Sequence, residues 1–123
     1  MTTEAAARAD LMLDEQLKRP DYSTWNHTSL WHAVEMVAGY TPFDDGVLLP
    51  AATRAKATTV LARYLTAAHY FNLIPKAFLT SYGAEFQKIR RVAFKVLEFS
   101  KANPQFAVPQ ATMAAWAAAE GLT

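Results

Sequence analysis

The chain has 123 residues, 52% hydrophobic and 19% charged, with no cysteine and a net charge of +1. So much apolar content with so little charge excludes the disordered class, and the length suits one domain burying roughly two-thirds of its unfolded surface. Without a thiol, disulfide frameworks, thiolate metal sites and cysteine nucleophiles are excluded as well.

The small net charge conceals a segregation. Residues 1–45 carry eight acids against three bases, and residues 46–123 carry nine bases against three acids. Neutralisation of one half by the other inside the fold is the simplest outcome, and attraction to a partner is the alternative. The start, Met1 to Asp10, has no basic stretch leading into an apolar run and places Glu4 and Asp10 early. Neither a secretory signal nor a transit peptide is expected, and the expected location is intracellular. The longest charge-free run, Ala102 to Ala119, contains Pro104, Pro109, Asn103, Gln105 and Gln110. Prolines and amides suit hydrocarbon poorly, so no membrane span is expected.

Taken in chain order, the first predicted helix covers 3–18. Thr3 can cap it, Glu4 and Lys18 complement its two ends, and Pro20 stops it. Leu11, Leu13 and Leu17, with Ala6 and Ala7, supply its apolar stripe. The second helix is short, 29–38, because Leu30, Ala33, Val34 and Val37 recur at one helical face and Gly39 suits a left-handed terminus. Thr41 to Gly46 reads as a turn. The third covers about 50–71, opened by Pro50 and carried by Ala57, Val60, Leu61, Tyr64, Ala68 and Phe71. The fourth covers about 81–101, with Phe86, Ile89, Val92, Ala93, Val96 and Leu97 as its dry side. The fifth covers about 109–119 and is built mostly of alanine around Met113 and Trp116. Val47-Leu48-Leu49 is too short for a strand. The expected fold is therefore all-α: a compact bundle of about five helices, two long (50–71 and 81–101) and three shorter, in a single domain over 1–123. The alanine-rich segments 3–18 and 109–119 are candidates for its periphery.

Catalytic chemistry finds little support. His32 and Glu35 stand three apart on a helix, but no second pair completes a metal site. Asp44 and Asp45 are adjacent in a turn, where side chains diverge; paired acid–base work needs them convergent in a dry pocket. The four glycines are scattered, so no phosphate loop forms. No cofactor and no metal is expected. A pocket among Tyr64, Tyr70, Phe71, Phe78 and Tyr82 supports a third-ranked reading as a small ligand-binding protein or enzyme.

Two features point to binding instead. Trp25 and Trp31 lie in an aromatic cluster with Tyr22, and tryptophan is enriched at interface anchors. Lys76 to Lys101 holds six bases against two acids, with Phe94 set beside Arg90 and Arg91 on the nominally wet side. The uncharged tail adds Met113 and Trp116, which can bury apolar area without desolvating charge. The leading expectation is a non-catalytic helical interaction protein, a small subunit or accessory factor of a larger protein assembly, with homo-oligomerisation as one route. Its candidate partner-binding residues are Trp116, Met113, Phe94, Arg90, Arg91, Trp25 and Trp31. The runner-up is a nucleic-acid-binding regulator using 81–101, although the connection 72–80 is long for a helix-turn-helix and contains Pro75.

Overall fold

The computed structural model describes residues 3–18, 27–44, 47–70 and 76–122, with side chains described in 3–18, 28–44, 47–66 and 87–122. These residues hold five helices: α1 (Glu4–Lys18), α2 (His27–Ala38), α3 (Ala51–Tyr70), α4 (Lys76–Ala102) and α5 (Gln110–Ala119). Among the described residues there is no strand, only an isolated bridge between Tyr40 and Leu48. The fold is all-α, as the periodicities require. No helix among the described residues is long and apolar enough to cross a membrane. The fourth helix starts at Lys76, five residues before its expected start. Pro75 precedes it in the sequence, and proline is at home beside a helix start, where its missing N–H is not needed.

The core is centred on α2, which lies between α3 and α4; α1 packs on α3 and α5 on α4. The stripe Leu30, Ala33, Val34 and Val37 is buried throughout. It meets Ala57, Val60, Leu61 and Tyr64 from α3 and Ile89, Val92, Ala93 and Val96 from α4, all buried. Each fully buried valine or leucine contributes about 1.5–3 kcal/mol, so these three helices form the stable centre. Tyr64 lies wholly within it, and burial pushes its phenol's pKa up. Ala68, Phe71 and Phe86 lie outside the residues whose side chains are described.

The first helix corrects one expectation. Thr3 caps it as expected, its Oγ1 accepting from the Ala6 N–H at 3.1 Å. The buried stripe, however, is Ala6, Ala9 and Leu13, while Leu11 is 65% exposed and Ala7 is exposed. A polar contact sets the rotation. The Lys56 ammonium on α3 stands 3.1 Å from Asp10 and 2.9 Å from Asp14, which are one turn apart, and Thr53 donates to Asp10 at 2.9 Å. With Asp10 and Asp14 turned toward Lys56, Leu11 is carried outward. This cluster also joins the acidic half of the sequence to the basic half.

Hydrogen bonds from Lys56 first, and from Thr53, hold the Asp10 carboxyl below its ordinary pKa. A carboxylate favoured by the fold stabilises it above the unfolded-chain pKa, and that contribution is lost as pH falls through the lower folded value. Lys56 is raised, by Asp14 first and then Asp10, so its contribution is complete below its unfolded pKa and lost as pH rises through the folded one. Asp10→Asn is expected to make the acid limb of the stability curve shallower, seen as urea midpoints between about pH 2 and 5. An unchanged limb would show that Asp10 takes no part in acid sensitivity. Both groups are partly exposed, so the effect is a modest one.

Two connections close one end of the bundle. Gly39 ends α2 at φ 115°, and its N–H reaches the carbonyls of Glu35 and Met36, each at 3.1 Å. The Leu49 N–H donates to the Gly39 carbonyl at 2.8 Å, and the Val108 N–H donates to the Ala38 carbonyl at 2.8 Å. The segment after α2 and the segment before α5 are thereby tied to the same two residues.

Candidate functional site

The two ties above create a cleft. On α2, Trp31 and Glu35 stand one turn apart, on a face beside the buried stripe, and both are half-buried. The turn at Gly39 brings Tyr40 and Thr41 back alongside them. Tyr40 is fixed at both ends, its N–H donating to the Glu35 carbonyl at 3.0 Å and its hydroxyl donating to the Val108 carbonyl at 2.6 Å. That second bond sets the path into α5, which begins after Pro109. Gln110, Met113, Ala114 and Ala117 follow at helical spacing along the face of α5 turned toward α2. Together these eight side chains line a cleft of about 400 Å³. Its described walls are two aromatic rings and a thioether, its polar groups one carboxylate, one amide and two hydroxyls, and alanines leave room along α5.

The structure therefore joins two of the sequence-derived candidates, Trp31 and Met113, across one cleft, although they lie far apart in the chain. Trp116 stands on a different side of α5. It is half-buried and meets Phe99 edge-on, with ring centroids 6.4 Å apart and planes at 69°. Farther along the same helix pair, Arg91 Nε donates to Glu120 at 2.7 Å, so α5 runs antiparallel to α4. The basic face of α4 is solvent-facing. Phe94 is 47% exposed, and the Arg90 guanidinium lies 5.5 Å from the centre of its ring. Trp25 lies outside the described residues, as do Tyr22 and Asp45. Tyr70, Phe71, Phe78 and Tyr82 lie outside the residues whose side chains are described.

Tyr40, Gln110 and Glu35 were not singled out as binding residues by sequence. Glu35 drew notice only as a partner for His32. That histidine instead borders a second, smaller cavity of about 100 Å³ between α1, α2 and α3, together with Gln16, Met12 and Met36. Burial lowers its pKa, which favours the neutral ring. The Gln16 Oε1 is buried there without a hydrogen-bond partner. Among the described residues no three histidine or carboxylate groups converge as a metal site would need.

Among the described residues, five large apolar side chains are exposed: Leu11, Phe43, Leu48, Phe94 and Phe106. Phe43, Leu48 and Phe106 belong to the two connections that close the end of the bundle, and the Arg8 guanidinium covers Phe43 at 4.2 Å from the ring centre. The chain matches no protein-family model, no curated protein and no solved structure.

Proposed function

We propose that this chain is a non-catalytic helical interaction protein, a small subunit or accessory factor of a larger protein assembly, and that the α2–α5 cleft seats part of its partner. The observation that carries this reading is the convergence of Trp31, Tyr40 and Met113 on one open cleft of about 400 Å³. Aromatic and methionine side chains are enriched where proteins meet, and a concave seat for one anchor is the geometry of a binding hot spot. The exposed Phe43, Leu48 and Phe106 lie on the two connections that also carry Tyr40 and Thr41 and lead into α5.

The test is the native species. A tagged chain, expressed at natural level in its own source and isolated gently, is expected in a complex of fixed stoichiometry. The double substitution Trp31→Ala with Met113→Ala is expected to release it while its circular dichroism stays that of a folded helical bundle. A free monomer in both forms would overturn the reading.

The nucleic-acid reading has one observation in its favour, the exposed Phe94 among bases on α4. Two contacts weaken it. Arg90 already covers the Phe94 ring, which a base would need for stacking, and the Arg91 charge is engaged by Glu120.

A further inference from the structure

We infer that the α2–α5 cleft takes a proline-rich stretch of the partner protein, held as a polyproline II helix; the inference rests on the interaction reading above. The hydrogen-bonding groups around the cleft decide the choice. The Tyr40 hydroxyl donates to the Val108 carbonyl at 2.6 Å, the Thr41 hydroxyl accepts the Phe43 N–H at 3.1 Å, and Glu35 has an interaction of its own within the chain. Among the described lining residues, that leaves the Trp31 indole N–H and the Gln110 amide outside any hydrogen bond. An indole N–H can only donate, and a primary amide carries two N–H donors beside its one carbonyl. The cleft is therefore better supplied to meet carbonyl oxygens than to meet N–H groups.

An ordinary extended segment brings an N–H with nearly every carbonyl, and an N–H shut away without an acceptor is costly. Proline brings the carbonyl alone. A polyproline II helix has no internal hydrogen bonds, so its carbonyls are free to accept, and grooves lined by aromatic rings are a general seat for it. Trp31 and Tyr40 supply the rings here, Met113 an adaptable wall, and Ala114 and Ala117 keep the α5 side shallow. Both sides are ordered beforehand. The Tyr40 ring is pinned through its hydroxyl, and the proline helix is stiff before it docks, which lowers the ordering cost of association. The volume, about 400 Å³, lies at the small end of ligand pockets and suits a short stretch of such a helix.

The test uses the full chain and three uncharged peptides: an oligoproline, a glycine–serine peptide of the same length, and an amphipathic helical peptide of leucine, alanine and glutamine. Binding is read from the Trp31 indole N–H resonance and the Ala114 backbone amide. The oligoproline is expected to shift both and to bind at least about tenfold more tightly than either of the others. Trp31→Phe keeps a ring but removes the donor, and Gln110→Ala removes the amide. Each is expected to weaken oligoproline binding roughly 2- to 10-fold, with circular dichroism showing that the bundle is still folded. Leu11→Ala, on the exposed side of α1, should bind as the unaltered chain does. No shift with oligoproline, or equal binding of the glycine–serine peptide, would overturn the assignment. Tighter binding of the helical peptide would replace proline by a helix as the occupant. Undiminished oligoproline binding in both Trp31→Phe and Gln110→Ala would overturn it too. Each of these results leaves the interaction reading standing if Trp31→Ala with Met113→Ala still releases the partner. Unchanged partner capture by that double variant would overturn the underlying reading instead.

Discussion

Gly39→Ala is expected to lower the unfolding free energy by about 2–5 kcal/mol, the sum of two separate costs. The backbone there has φ 115°, a conformation that side-chain-bearing residues rarely adopt. The new Cβ would also lie 2.7 Å from the Ala107 Cβ and 3.3 Å from the Ala107 Cα. Neither atom can rotate away, because a Cβ moves only with its backbone, and the Arg54 side chain closes the third direction at 3.3 Å. Relief therefore requires the connection before α5 to move, which strains the Val108–Ala38 and Tyr40–Val108 bonds. The two costs separate by experiment. Ala107→Gly in the Gly39→Ala background should recover the steric share only. Gly121→Ala is the internal control: it also has a positive φ, 75°, but its added Cβ meets nothing nearer than Lys88 Nζ at 3.9 Å. That variant should lose about 1 kcal/mol. Equal losses at the two glycines, read from urea midpoints, would show that the packing of Ala107 on Gly39 carries no weight.

Leu13→Ala should cost about 2–5 kcal/mol, within the range for buried leucines. Leu13 is fully buried, and the other buried residues of α1 are alanines, Ala6 and Ala9. It is therefore the main apolar anchor of that helix on α3. The adjoining cavity of about 100 Å³ already borders Leu13, so truncation enlarges an existing space. The loss grows with residual cavity volume, which places it in the upper part of the range unless α1 slides inward. Asp10 and Asp14 resist such a slide, because both are registered on Lys56. Urea denaturation measures the loss, and Leu11→Ala is the matched comparison, expected to change stability by less than about 0.5 kcal/mol because Leu11 is exposed. Similar losses for the two leucines would reverse the assignment of the buried face of α1.

That pair of leucines also marks where the sequence was legible. On α2, α3 and α4 the apolar residues recur at a single helical phase with polar residues between them, so every described member of those stripes is buried or nearly so. On α1 three apolar residues in a row, Leu11-Met12-Leu13, are compatible with two phases. The choice is made by Lys56, some forty residues away, which no local pattern reveals. The cleft was half legible for a similar reason. Trp31 and Met113 stood out as large apolar side chains in segments with few charges, but their meeting depends on the turn at Gly39 and on a hydrogen bond spanning 68 residues, from Tyr40 to Val108. Glu35 looked like an ordinary polar position on a short helix. Its place beside two rings follows only once Tyr40 has been folded back.

The placement of α2 bears on how the chain can be made. Its neighbours include both the following helix and segments much farther along: Ser100 on α4 donates to the Val37 carbonyl, 63 residues away, and Val108 lies beyond that again. During synthesis from the N-terminus, Leu30, Val34 and Val37 leave the ribosome long before α4 and the segment ahead of α5 exist to cover them. Closure of this core therefore waits until the chain has been made beyond Val108. Helices form locally and fast, but contacts of such separation wait for the chain. The side of α2 that faces α4 is thus bare until those segments are made, and in that interval the nascent chain is exposed to aggregation and to capture by chaperones.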